Sequence, residues 1–438
     1  MRDQRVQVYG DFESMAGLSR VAREMAMAMH RLGVTVRLTH RSSGAPLTDP
    51  ETIASVRSLY GDAEARCAVG FDRYDEHAPF HEPFRVLFRM SDMDRVPATW
   101  IAAAAAADLV VVPGRSSFEA WRDSGIPEQR LRLCPLGVNR DQFEHAEPGA
   151  WMLEQVLGDR AFGSIRTRFL NVSDTSSAHR KNPAGLLAAW IAATTPDDDA
   201  LLVLKWSSYL GDAAVESFVR QLIDGLERRI GKSLGEAAPI MLDTGKRADA
   251  QLPGLYAAFT HYISVSRGEG WDLPMMEAGA AGLRLIAPAH SAYLAYLNDH
   301  MATLLPAIRT RADVPEFPVY YQGLVAGSSW WEPDLQATAT SIRAAIDGED
   351  RYRRLPREAI LREFSWENSA SQLLRIMEAA SAAGDDHQAT ATFSPGADER
   401  LNLHTLNLPD EVRALLERLR VYRSDSSKIR LGQANDGG

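Results

Sequence analysis

Two glutamates in one short stretch carry the strongest chemical signal in this sequence. The stretch runs Ser266–Gly282, SRGEGWDLPMMEAGAAG, and seven residues separate Glu269 from Glu277. The first glutamate falls in a glycine-rich turn after an apolar run, the second one turn into a helix starting near Pro274. Backbone N–H groups of residues 270–274 and the helix N-terminus behind them can face an anion such as a phosphate. Both carboxylates can then accept hydrogen bonds from hydroxyls on either side of it. Taken alone, the same pair reads as a turn cap and a solvated helix residue. A cationic counterpart stands at His179-Arg180-Lys181-Asn182, just before a helix opening on Pro183, with Lys205 at the end of an apolar run as a weaker second. Gly17, in the loop Asp11–Ser19, lets a ligand approach the backbone closely. That loop lacks the GxGxxG pattern, so a nicotinamide cofactor is not expected.

These residues need a scaffold, and the hydrophobic pattern supplies one. Arg5–Tyr9 reads as a strand, Ser19–Leu32 as a helix with a 3.6-residue period, and Val34–Leu38 as the next strand. Strands at Arg85–Phe88, Leu109–Val112 and Leu131–Pro135 follow, with helices at Trp100–Ala107 and Ser116–Asp123. Periodicity lapses over Gly137–Gly149, and a second alternating series runs from Phe169 to Ala287. Strands alternating with helices predict parallel sheets. Two such doubly wound domains in tandem predict a ligand cleft between them, beyond the carboxyl ends of the strands. The boundaries read as 1–150, 151–365, a helix over 366–381, and a linker with a short helix at Pro409–Tyr422 and a disordered tail over 382–438.

Composition narrows the classes. The chain has 438 residues, 45% hydrophobic and 24% charged, with a net charge of −10, so no basic nucleic-acid footprint shows in the totals. Two cysteines, Cys67 and Cys134, rule out a disulfide framework and a cysteine-based zinc site. The opening residues lack the apolar core of a secretory leader, and no run is long enough to cross a membrane; a cytoplasmic location is the expectation.

Glu269-Gly270-Trp271-Asp272-Leu273-Pro274-Met275-Met276-Glu277-Ala278 resembles the Glu-x7-Glu signature of the retaining glycosyltransferases of family four, typically EGFGLPxxEA. Val112–Ser116, Pro135–Asn139, Phe169–Pro183 and Trp331–Asp334 resemble further landmarks of that family in the same order, and the likeness covers about residues 1–380. It implies the GT-B fold: two Rossmann-like domains facing a central cleft, acceptor on the first, nucleotide sugar on the second, with a C-terminal helical extension crossing back from Trp366. It implies that Glu269 contacts the donor sugar and Glu277 the ribose, that the amides of Gly270, Trp271, Asp272 and Leu273 meet sugar or diphosphate, and that Lys181 stabilises the leaving group. Arg180 stands in for an arginine that the family carries near Ser173-Asp174, Lys205 is a further donor-side cation, and Gly17 belongs to the acceptor or diphosphate loop. Asp272 departs from the pattern, which has glycine there.

The implied reaction moves a hexose from a GDP-, UDP- or dTDP-sugar to a hydroxyl of a glycan, polysaccharide intermediate or metabolite, with retention and without metal or other cofactor. A GT-B epimerase and a non-catalytic GT-B subunit are the alternatives, and the C-terminal extension could hold a homo-oligomer together. His77, His81, Asp92 and Asp94 are first-domain candidates near the reacting sugar, with nothing to choose among them. Asp92-Met93-Asp94 and Asp197-Asp198-Asp199 match the metal-binding DxD of the other glycosyltransferase fold and read as incidental. Trp330 and Trp331 have two readings, a sugar platform or packing at the start of a helix at Pro333, and packing is the expectation.

Overall fold

Alternating apolar strands become two parallel sheets. In this computed structural model the described residues are 4–41, 46–47, 49–71, 80–157, 160–208, 210–314, 319–349 and 355–387. Residues 1–383 and 384–438 form two units, and both sheets belong to the first. His77 and the helix expected at 409–422 lie outside the described residues.

The first sheet comprises β1 (Arg5–Gly10), β2 (Thr35–His40), β3 (Cys67–Gly70), β4 (Phe84–Phe88), β5 (Leu109–Val112) and β6 (Leu131–Leu133), ordered β2-β1-β3-β4-β5-β6. A small hairpin, β7 (Val156–Leu157) with β8 (Arg160–Ala161), precedes the second sheet. That sheet comprises β9 (Thr167–Asp174), β10 (Ala200–Ser207), β11 (Ile240–Asp243), β12 (His261–Ile263), β13 (Arg284–Pro288) and β14 (Thr303–Leu305), ordered β11-β10-β9-β12-β13-β14. Every pairing within both sheets is parallel.

Local pattern explains the elements. The helix Gly17–Arg31 buries Val21, Ala22, Met25, Ala28 and Met29, one stripe of its surface. Leu201, Leu202, Val203 and Leu204 of β10 are all buried, as expected for a central parallel strand covered on both faces. Asn182 takes a left-handed conformation (φ 54°), and its side-chain oxygen accepts from the Gly185 N–H. It thereby ends the helix Ala178–Lys181 and caps Pro183–Ala193.

The chain crosses between the sheets twice, and the crossings touch. Val138 N–H donates to the Phe364 carbonyl (2.9 Å), and Trp366 N–H to the Val138 carbonyl (3.3 Å). A Cβ on Gly137 would collide with the Ser365 backbone. Beyond this contact the helix Trp366–His387 lies along the first sheet: Gln372 donates to the Leu133 carbonyl (2.8 Å), and the Cys134 thiol to that of Ser369 (3.3 Å). It continues past residue 381, where sequence placed a linker, because Ala382 and Ala383 favour helix.

One element was not foreseen. Between β14 and the helix Leu335–Asp347 the chain leaves the sheet as an antiparallel pair, β15 (Ala307–Arg311) and β16 (Ser329–Pro333), with the helix Val319–Val325 between them. Trp330 and Trp331 therefore lie in a strand, not at a helix start: strand pairing to Thr310 and Arg309 claims their backbones. Among the described residues no helix is long and apolar enough to cross a membrane.

Candidate active site

Strand order in the second sheet reverses between β9 and β12: β10 and β11 lie to one side, β13 and β14 to the other. The chains leaving their carboxyl ends part there and open a crevice. The segment after β9 carries Arg180 and Lys181; the one after β12 carries Glu269 and Asp272. Backbone ties join them, Arg267 N–H donating to the Arg180 carbonyl (2.7 Å).

Glu269 is 4% exposed, and each of its oxygens meets a cation: Arg180 Nη1 at 2.9 Å from Oε2, Lys181 Nζ at 2.6 Å from Oε1. Burial pushes its pKa up, but the two cations outweigh burial and hold the carboxyl down at about 2. Asp272 sits at φ 65°, ψ 72°. This left-handed conformation is open to glycine and tolerated by aspartate, which accounts for glycine at the corresponding place in the Glu-x7-Glu pattern. Asp272 Oδ2 accepts from the Tyr293 hydroxyl (2.8 Å), while buried Oδ1 has no hydrogen-bond partner among the described residues. Burial raises its pKa to about 6; Lys181 opposes the rise and Glu269 adds to it.

Glu277 is 2% exposed and faces the other half of the molecule. Arg20 Nη1, from the helix Gly17–Arg31, lies 2.6 Å from Oε1, and the Tyr256 hydroxyl donates to Oε2 at 3.0 Å. Burial raises its pKa, and Arg20 and Tyr256 only partly offset it, with Asp249 and Glu24 pushing the same way as burial.

A cleft of about 590 Å³ runs between the halves. Its wall includes Arg180, Lys181, Lys205, Glu269, Gly270, Trp271, Asp272, Leu273 and Gly17, so nearly every residue singled out in the sequence comes to one place. Glu277 is the exception: Arg20, not Glu277, is on the wall. Trp271 contributes to the wall, yet its indole packs inward on Tyr296 and Phe364. Burial lowers the Lys205 pKa, and Asp243 partly restores it. Apart from its chain neighbours and its own helix, no described residue would come within 4 Å of a Cβ on Gly17, so the space beside it is open.

Of the three first-domain candidates among the described residues, His81, Asp92 and Asp94, geometry brings one to Glu269. Asp92, in the segment that follows β4, accepts from the Gly270 N–H (2.8 Å) and lies 3.3 Å from Arg180 Nε. A Cβ on Gly268 would collide with the Asp92 carbonyl, and one on Gly270 with Met90. The glycines flanking Glu269 thus give the two halves room to meet. His81 is off the cleft wall, and its backbone N–H donates to Glu82. Asp94 pairs with Arg309 and accepts from the Ser329 N–H. Asp198 and Asp199 are engaged by Arg343 and Arg160. Sequence reasoning gave Arg20, Tyr256 and Tyr293 no role and left Asp92 unselected among its candidates; the available signal was that Asp92 follows a parallel strand as Glu269 does.

No protein-family model matches the chain, and no curated protein matches it by sequence. Solved structures do match. Sucrose-phosphate synthase from Thermosynechococcus elongatus aligns with a TM-score of 0.58 at 18% identity, over 87% of this chain and 100% of that one. HepE from Anabaena, in complex with UDP and glucose, gives 0.55 at 12% identity, over 86% and 100%. A glycosyltransferase from Rickettsia africae gives 0.55 at 16% identity, over 86% and 99%. The architecture shared with them is the GT-B fold.

Proposed function

We propose that this protein is a retaining glycosyltransferase that moves a sugar from a nucleoside-diphosphate donor to a hydroxyl acceptor. The observation that carries the reading is the Arg180–Glu269–Lys181 cluster on the cleft wall at the strand-order reversal. As the glycosidic bond breaks, negative charge builds on the departing diphosphate, and cations already in place stabilise it. Arg180 and Lys181 serve there, Asp92 orienting Arg180 from the other half. Glu269, ionised through the working pH range, accepts hydrogen bonds from donor-sugar hydroxyls and acts as a sugar ligand rather than a nucleophile. The acceptor hydroxyl attacks the face the diphosphate leaves and passes its proton to the departing phosphate oxygen, which retains configuration. The closed contacts exclude water from that step. Structural neighbours support the donor class, since HepE was solved with UDP and with UDP-glucose.

The test is a thermal-shift panel of UDP, GDP, dTDP and ADP and their sugars, followed by chromatography of the reaction with the donor that shifts. Ligand at about a hundred times its Kd stabilises a fold by about 2.7 kcal/mol. Free epimerised nucleotide sugar in place of a transferred sugar would point to an epimerase. Turnover should persist in EDTA; loss restored by manganese would overturn the metal-free step.

A further inference from the structure

The strand pair β15–β16 and its intervening helix build a second, apolar part of the cleft. Leu324, Val325 and Trp330 from this excursion line the cleft together with Met93, Pro97 and Trp100 of the first half. Met93 and Val325 pack on one cluster with Ala312, Val314 and Trp330, so residues from both halves join in a single apolar wall. The wall is clipped in place from both sides. Asp94 accepts from the Ser329 N–H (2.6 Å), its own N–H donates to the Ser329 carbonyl (3.2 Å), and its carboxylate pairs with Arg309. On the other side Trp331 N–H donates to the Arg267 carbonyl (2.8 Å), two residues before Glu269. The apolar wall therefore adjoins the Glu269 segment.

Such a surface is poorly suited to a bare glycan. A sugar ring carries hydroxyls around its rim, and each needs a partner once water is removed. Methionine, proline, leucine and valine side chains offer none, Trp330 is buried, and the Trp100 ring already stacks on Arg89 and Trp121. Arg89, also on the cleft wall, stacks on the Trp100 ring with its guanidinium 3.9 Å from the ring centroid and covers it. We propose that this wall receives an apolar group of the acceptor, an alkyl chain or hydrophobic ring carried close to the accepting hydroxyl. The acceptor is then an amphiphile or a hydrophobic aglycone rather than the end of a free polysaccharide. This inference rests on the glycosyltransferase reading of the same cleft.

The test compares n-octyl glucoside, below its micelle concentration, with methyl glucoside by tryptophan fluorescence titration in the presence of UDP, with the thermal shift by UDP recorded in parallel. Octyl glucoside should bind at least about tenfold more tightly, because each methylene buried is worth roughly 0.8 kcal/mol. Leu324→Asp, at a partly exposed position, should abolish that preference and leave the UDP shift unchanged. Equal affinities, no binding of either probe, or a preference that survives Leu324→Asp would overturn the inference while an intact UDP shift leaves the donor reading standing. If no nucleoside diphosphate shifts the protein, the glycosyltransferase reading fails, and this inference with it.

Discussion

Glu269 and Glu277 are one residue type at the two ends of one short segment, both almost fully buried, and their environments drive them apart. Glu269 lies between two cations of its own half and is held strongly acidic. Glu277 has a single cation, Arg20, supplied by the opposite half, with Asp249 and Glu24 nearby, and its pKa is raised. Burial is the same cost for both; the number of counter-charges decides which way the proton goes. The first arrangement suits a ligand site, since its cations can be shared with an incoming anion. The second suits a joint between halves.

The sharpest way to break the contrast is Arg20→Ala. It strands Glu277 in a buried site, and losing one partner of a buried pair costs about 3–5 kcal/mol. Urea unfolding should show this, and Arg20→Ala with Glu277→Ala together should cost less than the two changes summed. A neutral Arg20→Ala would mean that Glu277 is not held by that pair. Next, Lys181→Ala should lower kcat/KM by roughly a hundredfold with little change in the unfolding midpoint; an unchanged rate would remove Lys181 from the chemistry. Asp92→Asn keeps the acceptor for Gly270 N–H but loses the charge on Arg180. A fall of about tenfold in kcat with KM nearly constant is expected, and an equal fall in stability alone would make Asp92 purely structural.

The last contrast between buried carboxylates is a pH slope. The Asp272 pKa rises from 3.8 to about 6 on folding, so between those values the folded protein holds a proton that the unfolded chain has released. Stability contributed there is present below pH 4 and is lost as pH rises towards 6. Asp272→Asn should flatten that limb of the stability curve. Glu269 has the opposite sign: its contribution is present above about 4.5 and is lost as pH falls towards 2.

Much of this was legible in the residues because parallel sheets and glycine-rich turns leave local marks. β1, β5, β10 and the helix Leu273–Ala280 could be read from apolar runs and breakers, and the cluster of Glu269 with Arg180 and Lys181 from motif position. Contacts across the cleft left no such mark. Nothing near Arg20 in the sequence announces Glu277, and Asp92 looked like any acid after a strand, because its partners Arg180 and Gly270 are remote in the chain. The excursion at β15–β16 was hidden for another reason. Its strands pair only with each other, so they lack the uniform apolar run that identifies a central strand.

The two chain crossings, bound side by side at Val138 and Ser365, also set the mechanics. A single tether would allow each half to swivel in any direction. Two tethers bound to one another brace that joint, at the place where Gly137 presses on Ser365. Gly137 is the position where one added methyl group would force the two crossings apart.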